Sequence, residues 1–416
     1  MVVFGTPAAV AAIRDDGSLV AHAESVAGAE RARRVSRGGT LEQSADAYFV
    51  KRGGGGTIVA GYPWFTDWGR DTFIAMRGLC LAAGRLDEAR DILLAWAGAI
   101  DRGMLPNRFP DGAEPPEYNS VDASLWFVVA GHELLTHPRA GAALSSHDRR
   151  RLEDAIVAVL EGYAEGTRYG IVADDDGLLR AGEPGVQLTW MDARANGREI
   201  TPRIGKPVEV QALWVNALAA GSAISHRWRP WTSRARQSFG ARFADAATPT
   251  LPDVVDVDHR PGVVDATVRP NQILALGGLP LSLVDGPRAR QVLEVVEARL
   301  WTPLGLRTLA PDEPGYAGRY KGGPTERDAV YHQGTAWPWL LGPFVEAWVR
   351  VRGGGVEAQR EARRRFVTPV IAHLDEAGLG HVSEIADAEP PHTPRGCPFQ
   401  AWSLGELIRL DRRLAR

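Results

Sequence analysis

The segment Gly61-Tyr62-Pro63-Trp64-Phe65-Thr66-Asp67-Trp68-Gly69-Arg70-Asp71 runs straight into a helix predicted over 70–84. It packs aromatic rings and charges into a connection, where a soluble protein usually places Gly, Ser and Pro. The same arrangement recurs before every second helix. Apolar spacing of three and four predicts twelve helices, near 41–50, 70–84, 86–101, 120–135, 147–165, 208–225, 229–248, 270–278, 283–301, 333–352, 356–376 and 398–414. Long connections rich in Gly, Pro and Trp alternate with short ones. Six antiparallel pairs, each with one long and one short turn, predict an all-α toroid of six inner and six outer helices. Every long loop then falls on one end. No fixed repeat length marks the segments, which argues against an open solenoid. Strand-like runs such as Gly170–Ala173 and Val186–Thr189 are too short for a main sheet.

The chemistry-bearing residues gather in the long connections. Before the fourth helix stands Glu117-Tyr118-Asn119-Ser120-Val121-Asp122, and before the sixth Thr189-Trp190-Met191-Asp192 with Arg203, Lys206 and Glu209. Arg269-Pro270-Asn271-Gln272 precedes the eighth, and Tyr331-His332-Gln333-Gly334-Thr335-Ala336-Trp337 the tenth. His381-Val382-Ser383-Glu384 and Pro398-Phe399-Gln400-Ala401-Trp402 precede the last. If the even helices are the inner ones, these loops converge on one mouth. Sugar recognition uses this mixture: charged and amide groups for hydroxyls, and flat Trp faces such as Trp64, Trp68, Trp190, Trp337 and Trp402 for the apolar ring face. Glycoside hydrolysis adds two carboxyl groups, one protonated and one ionised. Plainer readings stand beside these: a helix cap at Thr66 or Asp67, a first-turn charge at Asp122, a turn aspartate at Asp192, a structural histidine at His332.

Composition narrows the function classes. Of 416 residues, 44% are apolar and 24% charged, and the net charge is −3. That balance gives no electrostatic basis for capturing nucleic acid or an anionic membrane. Two cysteines, Cys80 and Cys397, rule out a disulfide framework or a cysteine zinc site and fit a reducing, cytoplasmic compartment. No apolar run is long enough to span a membrane, and the start lacks the basic region of a signal peptide. Length alone suggests two or three domains, whereas the helix pattern predicts one closed domain over 41–416 after a lead-in, or remnant of an upstream domain, over 1–40. Tryptophan, at 13 against 11 Phe, is in excess. Asp174-Asp175-Asp176-Gly177 lacks the spaced ligands of a calcium loop, and Gly53–Gly56 has no following Lys-Ser/Thr to make a phosphate loop. No Gly-x-Ser-x-Gly elbow or His-Glu-x-x-His pair is present.

The run Trp64-Phe65-Thr66-Asp67-Trp68-Gly69-Arg70-Asp71-Thr72-Phe73-Ile74-Ala75 closely resembles the hallmark of the amylo-α-1,6-glucosidase family, the C-terminal domain of glycogen debranching enzymes. So do Tyr118-Asn119-Ser120-Val121-Asp122-Ala123-Ser124-Leu125-Trp126, Thr189-Trp190-Met191-Asp192, Tyr331-His332-Gln333-Gly334 and Gln400-Ala401-Trp402-Ser403. The resemblance implies an (α/α)6 toroid that hydrolyses α-1,6-linked glucose at branch points of glycogen or limit dextrin with inversion and without a cofactor or metal. It places the general acid on Asp192 and the general base on Glu384. It assigns Asp67, Trp68, Arg70, Asp71, Tyr118, Asn119 and Asp122 to the sugar pocket, with Lys206 and Glu209, His332, Gln333 and Trp337, and Gln400 and Trp402. Rival expectations are a trehalase- or glucoamylase-like hydrolase, an epimerase, which wants a pair of mouth histidines, and a noncatalytic glycan binder.

Overall fold

The computed structural model describes residues 16–110, 114–244 and 247–415, without the side chains of 16–18. Two kinds of helix alternate along it, and burial explains which is which. α5 (Asp122–Thr136), α7 (Val208–Ile224) and α12 (Ala401–Arg413) are buried nearly all round, as is α3 (Gly69–Met76, extended by a π turn over Arg77–Ala82). Helices of that kind must be covered on every side. α4 (Leu86–Ala97), α6 (Ser146–Glu165) and α9 (Gly286–Leu300) bury single stripes; in α6 it is Leu152, Ala155, Ile156, Val159, Leu160 and Tyr163. A reciprocal Ser145–Asp148 capping box starts α6. α8 (Arg229–Phe243) packs on α7. α10 (Leu341–Val351) is followed by α11, which runs from Val356 to Gly378 with two π turns.

The fully buried elements contact one another in succession: α3 with α5, α5 with α7, α7 with the 3-10 turn Pro270–Ala275, that turn with α10, α10 with α12, and α12 with α3. The last of these contacts is backbone to backbone. A Cβ added at Gly78 would overlap the Gly405 carbonyl. Gly78→Ala therefore gains helix propensity but forces α3 and α12 apart. The expected net loss is about 1–3 kcal/mol, read as a lowered Tm; an equal or higher Tm contradicts the close contact.

Several expected boundaries shift for local reasons. The segment expected over 41–50 ends as a helix, α2 (Thr40–Asp46), and Phe49–Arg52 pairs with Gly55–Ile58 across a turn at Gly53, φ 56°. The segment over 270–278 is a 3-10 turn, and the one over 333–352 begins at Leu341, after Gly334 at φ 139° and Pro338. Asp16–Arg37 is helical (α1) where the sequence offers no apolar period. The rest of the lead-in, 1–15, and positions 245–246 of the helix expected over 229–248 lie outside the described residues. Val172–Ala173 does form a strand, paired with Leu179–Arg180. Val186–Thr189 does not.

Strands serve position rather than bulk. A five-stranded antiparallel sheet joins Trp301–Thr302, Gly305–Arg307, Ala336–Trp337, Ile385–Ala386 and Pro394–Arg395 in that order, with Leu306 opposite Trp337 and Ala336 opposite Ala386. It fixes Trp337 and the residue after Glu384 in one ladder. Phe399–Gln400 pairs with Gly61–Tyr62, tying the last long loop to the first.

Candidate active site

A cavity of about 420 Å³ opens where the long loops meet. Of the residues singled out in the sequence, Trp68, Arg70, Asp71, Asn119, Trp190, Asp192, Trp337, Glu384 and Trp402 line it. Its floor is aromatic. Trp190 meets Trp337 edge-on at 5.2 Å, and Trp337 and Trp339 approach Trp402 at 5.9 and 5.5 Å. Trp190 is locked by a hydrogen bond from Nε1 to Asn271 Oδ1 (2.8 Å).

One guanidinium organises the carboxyl groups here. Arg70 Nε donates to both Asp122 oxygens (2.8 and 2.9 Å), its Nη1 to Asp192 Oδ2 (3.1 Å) and its Nη2 to Ser120 Oγ (3.2 Å). Asp122, the first residue of α5 and 1% exposed, thus holds the arginine that holds Asp192. Burial opposes the Arg70 charge, and the aspartates around it more than restore it. The Asp192 carboxyl is raised by burial against the pull of Arg70; its side chain keeps 35% exposure. Burial pushes Asp71 up to about 8, Arg70 opposing and the charges of Glu384 and Asp192 adding to it. Gln400 Nε2 donates to Asp71 Oδ1 at 2.9 Å.

Glu384 is 4% exposed. Burial pushes its carboxyl up to about 7, against hydrogen bonds from the Tyr331 hydroxyl and the Cys397 N–H (3.0 Å), with the Asp192 charge adding to the rise. Tyr331 remains a phenol, driven well above its ordinary range by burial and by Glu384. Tyr331→Phe removes a donor that favours ionised Glu384. The acidic limb of the kcat/KM profile should then move up by about one pH unit, the scale of one hydrogen bond to a charge. A limb that stays in place excludes this role.

The remaining predicted residues lie off the cavity wall. Trp64 is 59% exposed and lies 6.4 Å from the Phe65 ring of the wall. Asp67 is buried, accepting from Arg52 Nη1 (2.5 Å) and Thr57 Oγ1 (3.3 Å). Neither it nor Thr66 caps α3, whose N-cap is Trp68. Tyr118 turns its hydroxyl to the Ala99 carbonyl (2.8 Å). The Lys206 ammonium is enclosed by Asp174, Asp176 and Asp256 at 2.8–3.1 Å. Glu209 pairs with Arg203, which also grips Asp253, and Asp253 Oδ1 accepts from Asn271; Glu209 thus braces the Trp190 floor from behind. His332 is fully buried and stacked on Trp337 at 4.9 Å, with burial and the charges of Arg269, Arg70 and Arg203 holding its imidazole well below the ordinary range. Gln333 joins Arg269 to Ile200 and Thr201. These charged and amide groups are spent on one another because burial demands partners.

Sequence reading does not single out Phe65, Asn107, Tyr169, Gly185, Val186, Gln187, Arg194 and Tyr331 as site residues, and all of them line the cavity. Tyr331 and Phe65 stand inside the quoted runs. Tyr169 sits at φ 57°, a left-handed backbone that a tyrosine rarely adopts, and nothing in the sequence around it signals this. Among the described residues, no cluster of three or more His, Cys, Asp or Glu is arranged to hold a metal ion.

Buried carboxyl groups beside a tryptophan-lined cavity are groups that glycoside hydrolases use, and the family match gives that class. The chain belongs to the amylo-alpha-1,6-glucosidase family, whose description residues 43–409 match. It is 25% identical over 460 residues to the glycogen debranching enzyme of Saccharomyces cerevisiae, covering 85% of this chain and 30% of that relative. The chain thus spans under a third of the curated relative's length. In fold it is similar to an uncharacterized conserved protein from Thermus thermophilus (TM-score 0.61, 17% identity, covering 89% of this chain and 99% of that one). It is also similar to the GH63 mannosylglycerate hydrolase from Thermus thermophilus in complex with glucose (TM-score 0.60, 16% identity, 89% and 98% covered). No helix among the described residues is long and apolar enough to cross a membrane.

Proposed function

We propose that this protein is an inverting glycosidase that removes α-1,6-linked glucose from the branch stubs of glycogen-derived dextrins, acting in the cytoplasm as a single catalytic domain over 41–416. The observation that carries the reading is the pair Asp192 and Glu384 on one tryptophan-floored cavity. The unbroken succession of contacts from α3 through α12 and back supports an (α/α)6 toroid as its frame.

Asp192, raised by burial, carries the proton to the glycosidic oxygen as the bond to the anomeric carbon breaks. Glu384, ionised, takes a proton from the water that attacks the opposite face. The proton lost by Asp192 leaves with the released sugar hydroxyl, and Glu384 keeps the one from water. Inversion asks for carboxyl groups about 6.5–9.5 Å apart, which leaves room for that water. Arg70 and Asp71 remain to meet hydroxyls of the bound glucose, and the Trp faces meet its apolar side.

The test is glucose release from a phosphorylase limit dextrin beside maltose, isomaltose, panose and trehalose, with the anomer followed by NMR. β-Glucose from the dextrin is the expected first product. α-Glucose as first product overturns inversion; glucose from trehalose alone overturns the substrate.

A further inference from the structure

All 13 Trp lie within the described residues, and one of them, Trp64, is exposed, at 59%. An indole offers a flat apolar face and one N–H donor, a shape that suits stacking. Its loop is not loose. Ala60 N donates to the Thr66 carbonyl (2.7 Å) and Phe65 N to the Gly61 carbonyl (3.0 Å), closing the loop on itself. Gly61 pairs with Gln400, and a Cβ there would strike Cys397, Gln400 and the Phe399 carbonyl. Tyr62 anchors the loop through its hydroxyl to the Ala47 carbonyl (2.8 Å). The backbone that carries the exposed ring is therefore held in place.

From there the rings lead inward. Trp64 lies 6.4 Å from Phe65, edge to face, and Phe65 lies 6.1 Å from Trp68; both inner rings line the cavity. In a site that takes the terminal glucose into a closed pocket, whatever passes out through the mouth belongs to the leaving group. We propose that Trp64 is an outlying stacking platform for the α-glucan chain that carries the branch, so that it selects long branched dextrins over short oligosaccharides. This rests on the proposed glucosidase activity and adds to it the part of the substrate beyond the scissile bond.

Two measurements on Trp64→Ala and Trp64→Phe test it. In native gels containing soluble glycogen, the unaltered protein should be retarded, Trp64→Ala much less so, and Trp64→Phe in between. This readout does not depend on turnover. In kinetics, the ratio of kcat/KM for limit dextrin to that for panose should fall about tenfold in Trp64→Ala, the scale of one aromatic stacking contact, and be largely restored in Trp64→Phe. Equal retardation of Trp64→Ala and the unaltered protein overturns the platform, as does an unchanged ratio. A protein that is retarded by glycogen through Trp64 yet hydrolyses none of the glucosides keeps the platform and defeats the glucosidase reading instead.

Discussion

Asp192→Asn should lower kcat on isomaltose and limit dextrin by about 10²–10⁴-fold, the usual contribution of a positioned acid. The amide keeps the size of the carboxyl and an acceptor for Arg70 Nη1, which donates to Asp192 at 3.1 Å, so the loss reports the proton rather than the packing. It should shrink sharply for α-glucosyl fluoride, whose leaving group departs without protonation. An equal loss on both substrates defeats the acid assignment.

Glu384→Gln is the second large effect. In the proposed mechanism Glu384 must be ionised, and burial pushes its carboxyl up to about 7. On that assignment kcat/KM of the unaltered protein should rise with pH through about 7, because below that the carboxyl is protonated and cannot take a proton from water. Gln has no such ionisation: turnover should fall by about 10²–10⁴-fold on every substrate, fluoride included, and the limb near 7 should disappear from the residual rate. Persistence of that limb transfers the titration to another carboxyl, with Asp71, pushed up to about 8, as the group to examine next. The two variants thus separate by their response to leaving group.

The long loops are the most legible part of the chain. Trp and Asp do not collect in connections by propensity, and nine of the residues singled out there do line the cavity. Their division of labour is not legible. Asp122, Glu209 and Lys206 read like sugar ligands, yet each is buried against Arg70, Arg203 or a ring of aspartates; which buried charge meets which is a matter of tertiary geometry, with no local spacing to reveal it. The inner helices read correctly where apolar residues run all round, as in α5 and α7. The reading fails at 270–275, where a single 3-10 turn flanked by Pro270 fills a helix's place. Tyr169, Gln187 and Arg194 stand outside the quoted motifs, and only the folded chain brings them to the wall.

The meeting of Gly78 with Gly405 bears on how the molecule is made. α3 is synthesised before α12, with more than 300 residues between them, yet each is the other's neighbour. The seam between α3 and α12 therefore carries a large loop-closure entropy and cannot form until α12 is available. Asp71 receives its Gln400 partner only across that seam. Until synthesis reaches α12, the α3 face that it covers has no partner, a state prone to association with other chains, and the cavity wall around Asp71 is completed in the same event that packs α12 on α3.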